Sequence, residues 1–207
     1  MKHTDKSIHD HLLNKCNEFP QAKELLKING IIKIKKNQQL TLFEFICRTV
    51  VGQQLSKKAA QSIWKRINNL AVENKIDLFD LISNKYAISI QNCGVSKNKT
   101  KCLIQLRDSF NSGLLSENNI KSLSLDDIYK LLTRQWGIGI WTVDMVAIFY
   151  LNQLNIWPKG DSALIKGANF LFNTESEKDL LEAVDIFTPY KSILALHIWK
   201  GIDENYI

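Results

Sequence analysis

Apolar residues along this chain recur at spacings of three and four, and that rhythm predicts helices almost throughout. It is clearest from Leu40, where Leu42, Phe43, Phe45, Ile46, Thr49 and Val50 describe one buried stripe that should stop near Gly52. A short turn follows at Gln53-Gln54-Leu55, and Ser56 is a good N-cap for a helix carrying Ala59, Ala60, Ile63, Trp64 and Ile67 inward. The outer face of that helix offers Lys57, Lys58, Lys65 and Arg66. Asp77 can cap a helix containing Leu78, Phe79, Leu81 and Ile82, and the stretch from Tyr86 to Gln91 predicts another, closed by Gly94 as a C′ glycine. Ser96 then opens a helix that buries Leu103, Leu106 and Phe110 and closes at Gly113. Ser124, with Asp127 three residues on, has the form of a capping box and opens a helix from Leu125 to Thr133.

The stretch from Trp141 to Leu151 is apolar almost all round, interrupted only by Thr142 and Asp144, and such a helix belongs at the centre of the protein. Asp161 stands at the N-cap of a helix from Ser162 to Phe172, and two more helices are expected from Glu175 to Phe187 and from Pro189 to Lys200. Before Leu40 the chain is more polar. It predicts a helix from Ser7 to Phe19, a second after Pro20, and a brief extended piece from Gly30 to Lys36. With no alternating pattern of useful length and no repeat, the expected class is all-α.

Length allows 207 residues to bury one large core or two interleaved lobes, so 1–207 reads as a single domain. The 27 Lys+Arg against 21 Asp+Glu leave a net charge of +6, which suits a polyanionic partner without demanding one. Cys16, Cys47, Cys93 and Cys102 are scattered, without Cys-x-x-Cys spacing for zinc or a close run for an iron–sulfur cluster. They read as reduced thiols, and no iron–sulfur cluster is expected. The N-terminus is polar and no apolar run reaches transmembrane length, so the expectation is a soluble intracellular protein with no membrane partner, acting as a monomer.

Chemistry concentrates at Gln135 to Thr142, Gln-Trp-Gly-Ile-Gly-Ile-Trp-Thr, between two helical patterns. Two glycines around one apolar residue make a tight reversal, because Gly tolerates positive φ and admits a close backbone. Such a turn presents N–H groups at the start of the next helix, where the dipole favours an anion such as phosphate. An ordinary corner between two helices has the same local pattern. Three lysines crowd the first turn after Ser96, which opposes the helix dipole unless an anion sits there; a solvated basic face is the alternative.

Four motifs in order, Gly52-Gln53-Gln54-Leu55-Ser56, Gly94-Val95-Ser96-Lys97, the hairpin Trp136 to Thr142, and Lys159-Gly160-Asp161-Ser162-Ala163-Leu164, resemble the helix-hairpin-helix DNA glycosylases. Within that superfamily they are most similar to the alkylation-repair branch, DNA-3-methyladenine glycosylase II, from about Leu40 to Gly201. The resemblance implies two helical lobes, one of about 1–39 plus 152–207 and the other of about 40–151 including the hairpin 133–142, with the active site in the cleft between them. It assigns catalysis to Asp161, whose carboxylate would stabilise oxocarbenium character on the deoxyribose and orient or deprotonate water; a helix cap is the plainer role for that residue.

Bifunctional relatives carry a nucleophilic lysine two residues after the second hairpin glycine. Here that position is Trp141, which implies a monofunctional hydrolase. Trp141, Met145 and Trp199 match the base pocket, where aromatic faces would bind cationic alkylated purines; core packing is the alternative for each tryptophan. Gln53, Gln54 and Leu55 match the intercalating wedge, with the choice between Gln54 and Leu55 open and a buried staple the other reading of Leu55. Gly137, Gly139, Ile140, Thr142, Ser96 and Lys97 match contacts to the DNA backbone. Carbonyls of Thr133, Gln135 and Ile138 match a site for a structural sodium or potassium ion, and catalysis is expected to need no cofactor.

The implied partner is double-stranded DNA containing damaged bases, in the cytoplasm and nucleoid of a bacterium or archaeon or the nucleus of a eukaryote. Two rivals remain, a non-catalytic DNA-binding module and a glycosylase for oxidised bases. Two departures stand out. Gln135-Trp136-Gly137 replaces the usual Leu-Pro-Gly, and 39 leading residues cannot form the β-rich domain of longer relatives, so a compact form is expected.

Overall fold

The computed structural model describes residues 4–35 and 39–207. Every regular element among them is a helix. In chain order the α-helices are α1 (Asp5–Lys15), α2 (Pro20–Asn29), α3 (Leu42–Gly52), α4 (Lys57–Glu73), α5 (Leu78–Leu81), α6 (Ala87–Asn92), α7 (Lys97–Asn111), α8 (Glu117–Ser122), α9 (Leu125–Thr133), α10 (Ile140–Met145), α11 (Ser162–Phe172), α12 (Glu177–Asp185) and α13 (Lys191–Asp203), with a 3-10 turn at Asn84–Tyr86 before α6. The local start signals operate as the side chains dictate: Ser56, Asp77, Ser96, Ser124 and Asp161 each accept a hydrogen bond from an N–H of the first helical turn. Thr41 and Glu44 add a reciprocal capping box at the start of α3.

Three features depart from the sequence expectation. Residues 30–35 form no strand, because Gly30 leaves α2 at φ +63 and nothing pairs with the segment; Lys36 lies outside the described residues. The short α8 was not anticipated, since Ile120 is its only buried side chain and one apolar residue makes no periodic pattern. The helix predicted from Trp141 continues past Met145 as one π-helical turn, Val146–Tyr150, which widens the backbone where the chain passes from one compact unit to the other.

Those units are Met1–Lys36 with Ala147–Ile207, and Asn37–Val146. The division falls inside the helix that follows the hairpin, earlier than the boundary expected after Leu151. In the Asn37–Val146 unit α3 lies against α4, α7 and α10, and its apolar stripe of Leu42, Phe43, Ile46, Cys47 and Val50 is buried. Phe43 meets Phe79 and Phe110 edge to face, with ring centroids 4.9 and 5.4 Å away. In the other unit α13 packs on α2 and α11 around Leu12, Leu26, Leu164, Phe187, Leu194 and Ile198. Gly201 lets α13 approach α2, since a Cβ there would come within 2.8 Å of Leu25 Cδ1.

Candidate functional site

Helix α9 ends at Thr133, and the chain reverses through two backbone hydrogen bonds, Gln135 N–H to the Leu132 carbonyl at 3.0 Å and Ile138 N–H to the Gln135 carbonyl at 3.1 Å. The two hairpin glycines prove different in kind. Gly137 has φ +82, and a Cβ on it would stand 2.8 Å from Cys102 Sγ, so both backbone conformation and space require glycine. Gly139 is extended at φ −95, and its Cβ would meet nothing within 4 Å. Nothing inside the protein demands glycine at 139. Ile140, the first residue of α10, is 62% exposed beside it.

The hairpin is fastened to the two other motifs of its unit. Gln53 donates from Nε2 to the Gly137 carbonyl at 3.1 Å and to Thr142 Oγ1 at 2.9 Å. Lys99, from the first turn of α7, donates from Nζ to the carbonyls of Gln53 at 2.7 Å and Val51 at 2.9 Å. Farther along α7, Lys101 Nζ stands 4.7 Å over the Trp136 ring, and Ser109 Oγ donates to Gln135 Oε1 at 2.7 Å. Before Gly137 the hairpin thus carries a tryptophan lying under a cation.

Gln53 is therefore a tie, and of the expected wedge group only Gln54 and Leu55 stand exposed. Leu55 does not act as a buried staple. Of the three lysines after Ser96, Lys99 is committed to the end of α3, where its charge meets the negative end of the helix dipole, while Lys97 and Lys101 are exposed. Ser96 is spent on the helix, accepting the Lys99 N–H.

On α10, Trp141 is half-buried, while Thr142 and Met145 are buried. Between them lies Asp144, one of the two polar interruptions of the apolar pattern. Asp144 is 3% exposed, accepts a hydrogen bond from the Tyr129 hydroxyl across the hairpin, and its other oxygen is buried without a partner. Burial pushes its carboxyl up to about 6, against the lowering effect of the Tyr129 bond. The sequence signal for this pair is a charged residue inside an otherwise apolar helix, which needs a buried partner.

In the other unit, Asp161 is half-buried at the N-cap of α11, with Oδ1 accepting the Leu164 N–H at 2.8 Å. Trp199 lies near Phe149, ring centroids 6.0 Å apart and planes tilted by 31°. Two residues earlier on α13, His197 is fully buried and Asn29 Nδ2 donates to its carbonyl at 2.9 Å. Burial, with His9 and Lys200 nearby, pushes the imidazole down to about 3, so it is held neutral. Asp161 and Trp199 thus belong to one unit, and the hairpin, Trp141, Met145, Gln54 and Leu55 to the other.

All four cysteines are buried free thiols, and the described residues include no cluster of three or more His, Cys, Asp or Glu placed to hold a metal ion. Among them, too, no helix is long and apolar enough to cross a membrane.

No family model matches the chain. Its fold, however, is similar to that of a 3-methyladenine DNA glycosylase of Schizosaccharomyces pombe solved in complex with abasic DNA, with a TM-score of 0.79 at 25% identity over 95% of this chain and 96% of that one. Among curated proteins it is 27% identical to DNA-3-methyladenine glycosylase 1 of the same yeast, covering 86% of this chain and 80% of that protein. It is 28% identical to the yeast's alkylbase DNA glycosidase-like protein, covering 85% of each. The fold and the hairpin are those of the helix-hairpin-helix DNA glycosylases. Within that superfamily the chain is similar to the alkylation-repair branch.

Proposed function

We propose that this protein is a monofunctional DNA N-glycosylase that removes alkylated purines, such as 3-methyladenine and 7-methylguanine, and leaves an abasic site. The observation that carries the reading is the hairpin itself. Gly139 has no internal reason to be glycine, and it stands at the start of α10 beside exposed Ile140. A missing Cβ at an open, rigidly held turn keeps room for a partner's backbone, and the phosphates of double-stranded DNA fit the chain's net charge of +6.

In this reading the exposed Gly137, Gly139 and Ile140 grip one strand and Lys97 adds a contact at the start of α7; Thr142, expected beside them, is instead buried with its hydroxyl held by Gln53, and the Ser96 side chain is spent capping α7. Gln54 and Leu55 fill the gap when the damaged nucleotide leaves the stack, which costs a few kcal/mol and is cheapest at a damaged base. Trp141, Met145 and Trp199 supply the surfaces on which a cationic, electron-poor purine stacks. Asp161 stabilises the oxocarbenium character that develops as the N-glycosidic bond breaks, and orients or deprotonates the attacking water. Capping α11 holds its carboxylate in place for that work. An alkylated purine leaves readily because it departs without its positive charge, so little general-acid help is needed. Because Trp141 occupies the lysine position of bifunctional relatives, no covalent sugar adduct forms and the strand stays intact.

The carbonyls of Thr133, Gln135 and Ile138 would hold a sodium or potassium ion. Supporting this reading, the Thr133 carbonyl lies at the C-terminal end of α9, where the helix dipole is negative. Such an ion would steady the hairpin and its phosphate. The compartment follows the DNA, cytoplasm and nucleoid or nucleus according to the cell.

The deciding experiment measures base release from methylated duplex DNA. Wild-type protein is expected to liberate 3-methyladenine or 7-methylguanine. Asp161→Asn should abolish release while still binding abasic-site DNA, and borohydride should trap no covalent complex. Intact DNA binding with no base released by the wild type would favour a non-catalytic binding module. Release of oxidised bases alone would move the substrate class.

A further inference from the structure

The turn between α3 and α4 holds an unusual backbone. Leu55 N–H bonds to the Gly52 carbonyl at 3.2 Å, Gln53 sits at φ −50 and ψ 131, and Gln54 at φ +56. This is the pattern of a type II turn, whose third position ordinarily takes Gly or Asn because a side chain there is disfavoured. A strained residue persists only where its surroundings over-determine it. Here those surroundings are Lys99, which holds the carbonyls of Val51 and Gln53, and the Gln53 amide, which reaches the Gly137 carbonyl and Thr142 Oγ1. The loop of ties then closes through α7, since a Cβ on Gly137 would strike Cys102 of that helix and Lys101 of the same helix lies over Trp136.

We propose that Gln53 and Lys99 are positioning residues that lock the wedge turn, the start of α7 and the hairpin into one frame. The frame presents Gln54 and Leu55 at a set height above the strand that the hairpin grips. This inference rests on the glycosylase reading and deepens it, because it names which side chains couple phosphate binding to base extrusion. Lys99 is the more telling member. Its ammonium is half-buried and turned onto two carbonyls, so its charge serves the frame and leaves phosphate contact to its exposed neighbours Lys97 and Lys101. A hydrogen bond to a charged group is among the stronger ties available to a protein, and two of them converge on one turn.

The test compares Lys99→Met, Gln53→Leu and the conservative Lys99→Arg with wild type. Single-turnover base release is measured on two duplexes, one with the lesion in a normal pair and one with it opposite a mismatch, where extrusion costs less. Lys99→Met and Gln53→Leu should slow release from the paired lesion by about tenfold, and release from the mismatched lesion by no more than about threefold. Affinity for abasic duplex should stay within about threefold of wild type, because the phosphate-binding groups remain. Lys99→Arg should recover most of the lost rate, since its guanidinium still donates to both carbonyls.

Equal slowing on both duplexes would overturn the proposal, as would slowing that follows loss of affinity alone. Hydrogen exchange of DNA-free protein supplies an independent readout. Lys99→Met should speed exchange at the Leu55 amide, and Gln53→Leu at Thr142 and Val143 of α10; unchanged exchange in both variants would overturn the frame. A wild type that releases no base while these exchange changes still appear would leave the frame standing and sink the glycosylase reading instead.

Discussion

Replacing Gly137 with alanine probes the point where hairpin conformation and packing coincide. Two costs are built in. At φ +82 an L-residue pays about 1–2 kcal/mol relative to its relaxed backbone. The new Cβ would also lie 2.8 Å from Cys102 Sγ and 3.0 Å from Cys102 Cβ, closer than carbon and sulfur tolerate. Cys102 is buried in α7, so it cannot swing away, and overpacking of this kind costs about 1–3 kcal/mol. Alanine recovers about 0.4–1 kcal/mol by stiffening the unfolded chain.

The net expectation is a loss of about 1–4.5 kcal/mol, read as a lower denaturation midpoint at unchanged slope. A double-mutant cycle separates the two contributions. With Cys102→Ala as background the sulfur contact is gone while the backbone cost stays, so the two substitutions should couple by about 1 kcal/mol. If Gly137→Ala unfolds within about 0.5 kcal/mol of wild type, or the cycle shows no coupling, the seating of the hairpin on α7 is wrong.

The companion variant Gly139→Ala should unfold within about 0.5 kcal/mol of wild type, because no internal atom lies near the added methyl, yet bind abasic duplex about tenfold more weakly. Unchanged affinity would mean that DNA does not approach there. Tyr129→Phe removes the donor from a buried carboxylate and should destabilise by about 1–3 kcal/mol at neutral pH, with most of the loss recovered in Tyr129→Phe/Asp144→Asn. Because the Asp144 carboxyl is raised to about 6, the folded state binds its proton more tightly than the unfolded chain. Its contribution to stability is therefore full in acid and falls as pH rises from about 4 through about 6.

His197 acts in the opposite sense. With its imidazole pushed down to about 3, its contribution is full above about 6.5 and declines as pH falls. The two groups oppose one another between about pH 4 and 6, so Asp144→Asn should steepen acid destabilisation in that window, measured by melting across pH. A parallel displacement of the whole curve would contradict the assignment.

Much of this molecule is written in short-range chemistry. Side-chain caps and apolar rhythm are local properties, which is why the ends of α9 and α11 could be read from Ser124, Asp161 and the spacing of leucines. The hairpin was equally legible, because Gly-x-Gly between two helical patterns constrains the backbone within a few residues. The resemblance that placed Asp161, Trp141 and the wedge turn likewise rests on motifs each contained in a short stretch.

Tertiary structure alone decided how those motifs work together. Gln53 meets Gly137 and Thr142 across 84 and 89 residues of chain, and Lys99 meets Val51 and Gln53 across 48 and 46. No local propensity encodes such pairs, since each depends on where whole helices come to rest. For the same reason a glutamine grouped with the wedge became a tie, a lysine in a basic cluster became a brace, and Asp144, an apparent blemish in an apolar helix, joined Tyr129 across the hairpin. The two glycines show the division most plainly: both are required of the motif by pattern, but only the fold reveals that Gly137 is glycine for the protein's own packing and that Gly139 has no such internal cause.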